Sequence, residues 1–379
     1  SSLRVGGAEH HVLNLCRFLS ANGHEPAVCT LSSREEGLES VLVEEGIPLY
    51  RIPLRSLRLL PSARVARGIR RMAADFRPHL IHAHLFHAEA AALAASLVTG
   101  VPAVATRHSA GLEFGGWRAA VSRLIARRFA ACIAVSREAA AEARGNGWPA
   151  DKITVLANAV DPQRFRPLEA SARGERRSAL AAELFGALPP GRLVLVGSAG
   201  GLRAVKNFSL LVRAVSTFAR ECVSPLDDPA VRFVIFGEGE ERDSLESLAR
   251  ELGVESFLAL PGRRDDLERV FPLLDIFVLP SLTEGVPLAL LEAMSSGVAC
   301  VASDVGGVGE VAAGVCSLVA PGDERGIVRA LQEFVLQEDT RLEIGRKARV
   351  RILERHNVDI WGSKILDVYR EALARAGQR

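Results

Sequence analysis

Residues 280–307 read PSLTEGVPLALLEAMSSGVACVASDVGG. The apolar run 276–280 leads into a short polar turn, then an apolar helical pattern, then a second apolar run at 298–302. Both runs are continuous rather than alternating, as strands covered on both faces should be. Pro287 suits the first turn of a helix, and Gly285 permits close approach just before it. Strand, helix, strand in this order predicts a parallel pair.

The same rhythm extends outward. Apolar runs at 27–31, 49–52, 80–83, 104–107, 132–135 and 153–156 precede others at 193–197, 233–237 and 257–261. Amphipathic stretches such as 209–218 and 241–252 separate them. Residues 166–191 break the pattern with Pro167, a charged cluster at 173–177 and Pro189-Pro190-Gly191. The fold class is therefore α/β, with two Rossmann-like, doubly wound parallel-sheet domains and a cleft between them. The expected division is 1–165, a linker at 166–191, a second domain at 192–360 and a terminal segment at 361–379.

A chain of 379 residues with 48% hydrophobic and 24% charged residues is globular, which excludes disorder and a coiled coil. Its six cysteines form no CxxC pair and read as reduced thiols, consistent with a cytoplasmic location. Residues 1–165 carry a net charge of +6 and the remainder −4, so the two halves are expected to face different partners.

Glycine-rich turns close several strands. Gly197-Ser-Ala-Gly200-Gly201 precedes a helix beginning near Asn207 and matches neither a dinucleotide fingerprint nor a P-loop. Gly237-Glu-Gly239 closes a later strand, and open α/β sheets bind ligands at such carboxyl ends. In the quoted stretch, amides of Val286, Leu288 and Ala289 at a helix start suit an anion. Glu284 lies on the loop before that helix and Glu292 on its second turn. Two carboxylates flanking an anion site fit a nucleotide sugar: sugar hydroxyls, diphosphate, ribose hydroxyls.

Glu284 and Glu292, with seven residues between them, resemble the E-x7-E signature of retaining glycosyltransferases of family four. The resemblance continues in Gly6-Gly7-Ala8-Glu9, in TRHS around His108, in Val135-Ser136 and in NAVD at 158–161. It returns in Lys206-Asn207 and GEGEER at 237–242. It implies the GT-B fold, with the donor held mainly by the second domain and the tail crossing back to the first. Glu292 would hold the donor ribose and Glu284 the transferred sugar. Lys206 would hold the diphosphate, and His108 would position a hydroxyl or phosphate at the sugar. Gly6, Gly7, Gly237, Gly285, Val286, Pro287 and Leu288 would complete the donor site. The donor would be a UDP-, GDP- or ADP-sugar, with no metal and no other cofactor. His79, His82, His84 and His87 are read as edge or packing residues.

Two departures stand out. The family usually has an Arg five residues before the Lys, but position 201 is Gly, with Arg203 the nearest substitute. The family also has a strand directly before the Gly-Gly turn, whereas this chain begins Ser-Ser-Leu-Arg, so the first strand of the amino-terminal domain is expected to be missing.

The expected partners are a nucleotide sugar and a lipid-linked, polysaccharide or small-molecule acceptor, in bacterial cell-envelope or exopolysaccharide synthesis. An anionic membrane surface is a further expected partner. Arg51, Arg55, Arg58, Arg64, Arg67, Arg70 and Arg71 cluster beside an apolar stripe of Val65, Ile69, Met72 and Phe76. Trp117, Arg118, Arg123, Arg127 and Arg128 form a second basic cluster. No stacking platform suggests nucleic acid. Two alternatives remain in view: a glycosidase using Glu284 and Glu292, and a sugar-nucleotide-binding protein without turnover.

Overall fold

A computed structural model describes residues 6–31, 37–52, 63–108, 117–186, 192–222 and 230–377. The chain separates into two compact units, Ser1–Asn158 with Val358–Arg379, and Ala159–Asn357.

The second unit contains one six-stranded sheet. Its strands are β7 (Leu193–Ala199), β8 (Ala230–Phe236), β9 (Leu258–Gly262), β10 (Ile276–Leu279), β11 (Ala299–Ser303) and β12 (Ser317–Val319). Their spatial order is β12-β11-β10-β7-β8-β9, and every pairing is parallel. Every residue of β10 and β11 is buried, which is why their sequences show no alternation. The order of the sheet reverses between β7 and β10, the place where doubly wound sheets bind ligands.

The first unit carries β1 (Val28–Thr30) and β2 (Leu49–Arg51) in one parallel pair. A separate parallel sheet runs β3 (Ile81–His84), β4 (Ala103–Arg107), β5 (Ala131–Ala134) and β6 (Ile153–Val155). The terminal helix Val358–Gly377 belongs to this unit. Gly362 lets it close onto helix Gly7–Ala21, because a Cβ there would overlap the Phe18 ring.

The second unit ends at Asn357 rather than 360, and two boundaries differ by more. The first unit ends at Asn158, not 165, because Asn158 bonds His11 while Val160 pairs with Asn357. The linker expected at 166–191 instead carries helix Ala170–Phe185, in the second unit. Its charged cluster is an anchor: Arg173 and Arg177 both pair with buried Asp275, which also accepts from the Leu195 amide at 2.8 Å. Residues 1–5 and the Pro189-Pro190-Gly191 stretch lie outside the described residues. Among those described, no helix is long and apolar enough to cross a membrane.

Candidate active site

In the second unit, the carboxyl ends of β7 and β10 deliver two of the candidate residues to each other. Strand β7 runs through Gly197 and Ser198 to Ala199, so the turn starts at Gly200, later than the sequence suggested. Ser198 Oγ donates to the Val278 carbonyl at 2.6 Å, and the Leu282 amide donates to the Val205 carbonyl at 2.9 Å. These bonds lock the two loops together. Lys206 Nζ then donates to Glu284 Oε1 at 2.6 Å. Their side chains are only 17% and 9% exposed, so this is not a weak, fully solvated ion pair. Ser281 Oγ donates to the same oxygen at 2.7 Å. Asn207, at φ 52°, makes the left-handed turn between a short 3-10 segment at Ala204–Lys206 and helix Phe208–Cys222.

Gly237 and Gly239 pack against this turn. A Cβ on Gly237 would overlap the Gly200 carbonyl, and one on Gly239 would overlap the Leu202 carbonyl. The Gly200 amide donates to Phe236 and the Leu202 amide to Glu238, at 3.0 and 2.9 Å. The glycines therefore let two loop backbones touch. Arg203 is exposed and folds over Gly201, where a Cβ would stand 3.4 Å from its Nε. Its guanidinium thus lies beside the position where an arginine was missing.

Helix Leu288–Ser295 starts one residue later than expected, with Pro287 as its cap at ψ 122°. Gly285, Val286, Pro287 and Leu288 are all buried, and the Gly285 carbonyl accepts from the Gly307 amide at 2.8 Å. Glu292 is half-buried on this helix. Burial lifts its carboxyl from 4.5 to about 7, opposed by Arg164 and reinforced by Glu268. Arg164 itself is engaged by Glu268 at 3.0 Å. A carboxyl so placed accepts hydroxyl hydrogen bonds that would restore its charge.

In the first unit, His108 follows β4 and meets other histidines. His84 Nδ1 and His108 Nε2 are 3.0 Å apart. The His11 ring packs edge-on against both, with centroids 5.2 and 4.7 Å away. Burial pushes His84 and His108 well below 6.5 and His11 to about 4. His82 is held at both nitrogens, by Tyr369 and Thr106, and burial drives it to about 3. His79 and His87 are exposed and apart from this group. Gly6 caps helix Gly7–Ala21, and a Cβ on Gly7 would meet open space.

Three partners went unassigned in the sequence. Ser281 was visible only as the residue three before Glu284. His11 and Asn158 lie 147 positions apart and are joined only by the fold. His82 and His84 did carry a signal, since positions two apart share one face of a strand. Ser136, within the AVS motif, proves to be a helix cap accepting from Ala139 at 3.1 Å. Ser109 of TRHS lies outside the described residues.

A doubly wound six-stranded parallel sheet in the second unit and parallel strands throughout the first agree with the GT-B class of glycosyltransferases. Comparison with known proteins agrees. The profile for Glycosyltransferase Family 4 matches residues 5–164, and that for Glycosyl transferases group 1 matches 185–351. The chain belongs to glycosyltransferase family 4. A D-inositol 3-phosphate glycosyltransferase of Stackebrandtia nassauensis is 29% identical over 98% of this chain and 88% of its own. An Escherichia coli UDP-Gal:alpha-D-GlcNAc-diphosphoundecaprenol alpha-1,3-galactosyltransferase is 31% identical over 41% of this chain and 38% of its own. Among solved structures, Anabaena HepE in complex with UDP superposes with a TM-score of 0.81 at 20% identity, covering 98% of both chains. At that identity the match speaks to the fold. Family membership sets aside the glycosidase reading.

Proposed function

We propose that the chain moves a sugar from a nucleotide-diphosphate sugar to a lipid-linked glycan acceptor, with retention at the anomeric carbon, in bacterial cell-envelope or exopolysaccharide synthesis. The observation that carries this is the Lys206–Glu284 pair at 2.6 Å. A cation suited to a diphosphate and a carboxylate suited to sugar hydroxyls stand at one sheet switch point, as a nucleotide sugar requires. The E. coli galactosyltransferase named above, with its diphosphoundecaprenol acceptor, supports the lipid-linked choice. HepE has been solved with UDP-glucose, which makes that the first donor to test.

In this reading the diphosphate draws Lys206 away from Glu284, which then accepts from the sugar hydroxyls. Glu292 accepts from the ribose hydroxyls, and Arg203 supplies the second cation at the diphosphate. Gly6 and Gly7 leave backbone open to the donor, and His108 positions a sugar hydroxyl. The bond from the anomeric carbon to the diphosphate breaks as the acceptor oxygen bonds on the same face. The acceptor proton passes to the departing phosphate oxygen. Lys206 stabilises the charge that develops there, so the diphosphate needs no metal ion.

The first unit reaches the acceptor at an anionic membrane surface, on the cytoplasmic side. Helix Ala63–Phe76 buries Ile69 against Ala95 and exposes Arg67, Arg70 and Arg71. Helix Trp117–Arg128 exposes Arg118, Arg123 and Arg127. Because Ile69 faces inward, the contact is electrostatic rather than inserted.

A donor panel read by nucleoside diphosphate release, with and without a polyprenyl-diphosphate sugar, tests the function. Acceptor-dependent release with one donor is expected. Donor binding without release under any acceptor would favour a binding protein instead.

A further inference from the structure

The histidine group of the first unit contains an unsatisfied atom. His11 is 2% exposed, and its Nδ1 lies 2.8 Å from Asn158 Oδ1. An amide oxygen only accepts, so Nδ1 carries the proton and Nε2 presents a lone pair. That Nε2 is buried and has no hydrogen-bond partner among the described residues. Leaving a buried acceptor unmet is unfavourable, so something is expected to meet it.

Three rings pack edge-on against His11: the imidazoles of His84 and His108 and the indole of Trp361. One ring nitrogen from each of His11, His84 and His108 lies within 4.8 Å of the others. We propose that these three histidines form a binding site for a divalent transition-metal ion of the zinc class. Three imidazoles with a fourth position open is a donor set that zinc takes readily, and nitrogen donors disfavour magnesium and calcium. Tetrahedral bonds of about 2.05 Å put neighbouring nitrogens about 3.3 Å apart. The His84–His108 pair, at 3.0 Å, needs to open by only a few tenths of an ångström. The His11 nitrogen and the other two need to close by at most about 1.5 Å.

The surrounding shell is already that of a ligated histidine. Asn158 fixes the tautomer and orientation of His11, the role an outer-shell carbonyl plays at metal sites. His82 packs on His84, centroids 4.2 Å apart, and is itself pinned by Tyr369 and Thr106. On binding, the proton shared between His84 and His108 moves to a ring nitrogen that does not face the ion. All three ligands stay neutral and no proton is lost. The fourth position is left for water or for an oxygen of a bound ligand. The site shares His108 with the proposed transfer reaction, and its test does not use activity.

The experiment is titration of chelator-stripped, full-length protein with Co²⁺ and with Zn²⁺. One equivalent of Co²⁺ is expected to bind with visible tetrahedral absorption, displaced by Zn²⁺. His11→Ala and His84→Ala should lose that equivalent, and Asn158→Ala should weaken it by about 10–100-fold. His87→Ala, on the surface, should keep it. X-ray absorption of the zinc-loaded wild type should show three nitrogen ligands of imidazole type, a readout that holds even if a variant does not fold. Absence of stoichiometric binding, binding that survives in folded His11→Ala and His84→Ala, or an oxygen-only shell would overturn the proposal.

Discussion

Lys206 Nζ and Ser281 Oγ both donate to the same oxygen of Glu284, at 2.6 and 2.7 Å. Two donors on one oxygen fix the carboxylate before any ligand arrives. The pair also means that a diphosphate must compete for Lys206, so the net gain from that lysine is smaller than a free cation would give.

Lys206→Ala is expected to weaken UDP binding about tenfold, the low end for a bond to a charged group, while changing UMP binding little. Arg203→Ala should have the smaller effect, since Arg203 is exposed and lies over Gly201. Calorimetric titration of UDP against UMP in each variant checks this. A preference for UDP that vanishes only in Arg203→Ala reverses the assignment.

The raised Glu292 carboxyl gives a pH signature. In the donor-free protein it ionises near pH 7, and ribose hydroxyls bind the ionised form better. Donor binding therefore releases a proton, and affinity should fall as pH drops below 7, by up to about tenfold per unit. UDP-glucose is the suitable probe because it has no terminal phosphate titrating near 6. Glu292→Gln should show lower affinity with a flat profile. A wild-type profile as flat as the variant's would contradict the ribose role.

Much of this was legible in the sequence. Continuous apolar runs mark eleven of the twelve strands among the described residues, most plainly where both faces are buried, as in β4, β5, β10 and β11. β12 was missed because it opens on a polar residue, Ser317, that interrupts the apolar run around it. Glu284, Glu292 and Lys206 could be singled out, but not the bond between Lys206 and Glu284, which joins residues 78 apart. The charged cluster at 173–177 reads as part of a linker because the partner of Arg173 and Arg177, Asp275, is about a hundred positions away. In the sequence His84 groups with His79, His82 and His87 as an edge or packing residue, whereas the fold gathers it with His11 and His108.

Gly237→Ala should destabilise the second unit by about 1–3 kcal/mol, because the obstruction is a backbone carbonyl that cannot turn away. Gly174→Ala is the control. It lies in helix Ala170–Phe185 with nothing near its Cβ, and should stabilise by roughly 0.5–1 kcal/mol. Urea midpoints at constant slope measure both. A neutral Gly237→Ala would show that the two loops can separate.

Sedimentation with vesicles tests the membrane contact. Binding to anionic vesicles at low salt, lost at high salt and absent with neutral vesicles, is expected from the exposed arginines. Arg67→Glu with Arg71→Glu should reduce it. Equal binding to both vesicle types would point to insertion rather than charge.

The most direct test of the transfer account is single-turnover kinetics of wild type and Glu284→Gln with a donor and a polyprenyl-linked acceptor. Glu284→Gln keeps the size of the side chain but removes the charge that Lys206 and the sugar hydroxyls share. The transfer rate should fall about tenfold or more, with donor affinity changed much less. Unchanged transfer in Glu284→Gln would contradict the account.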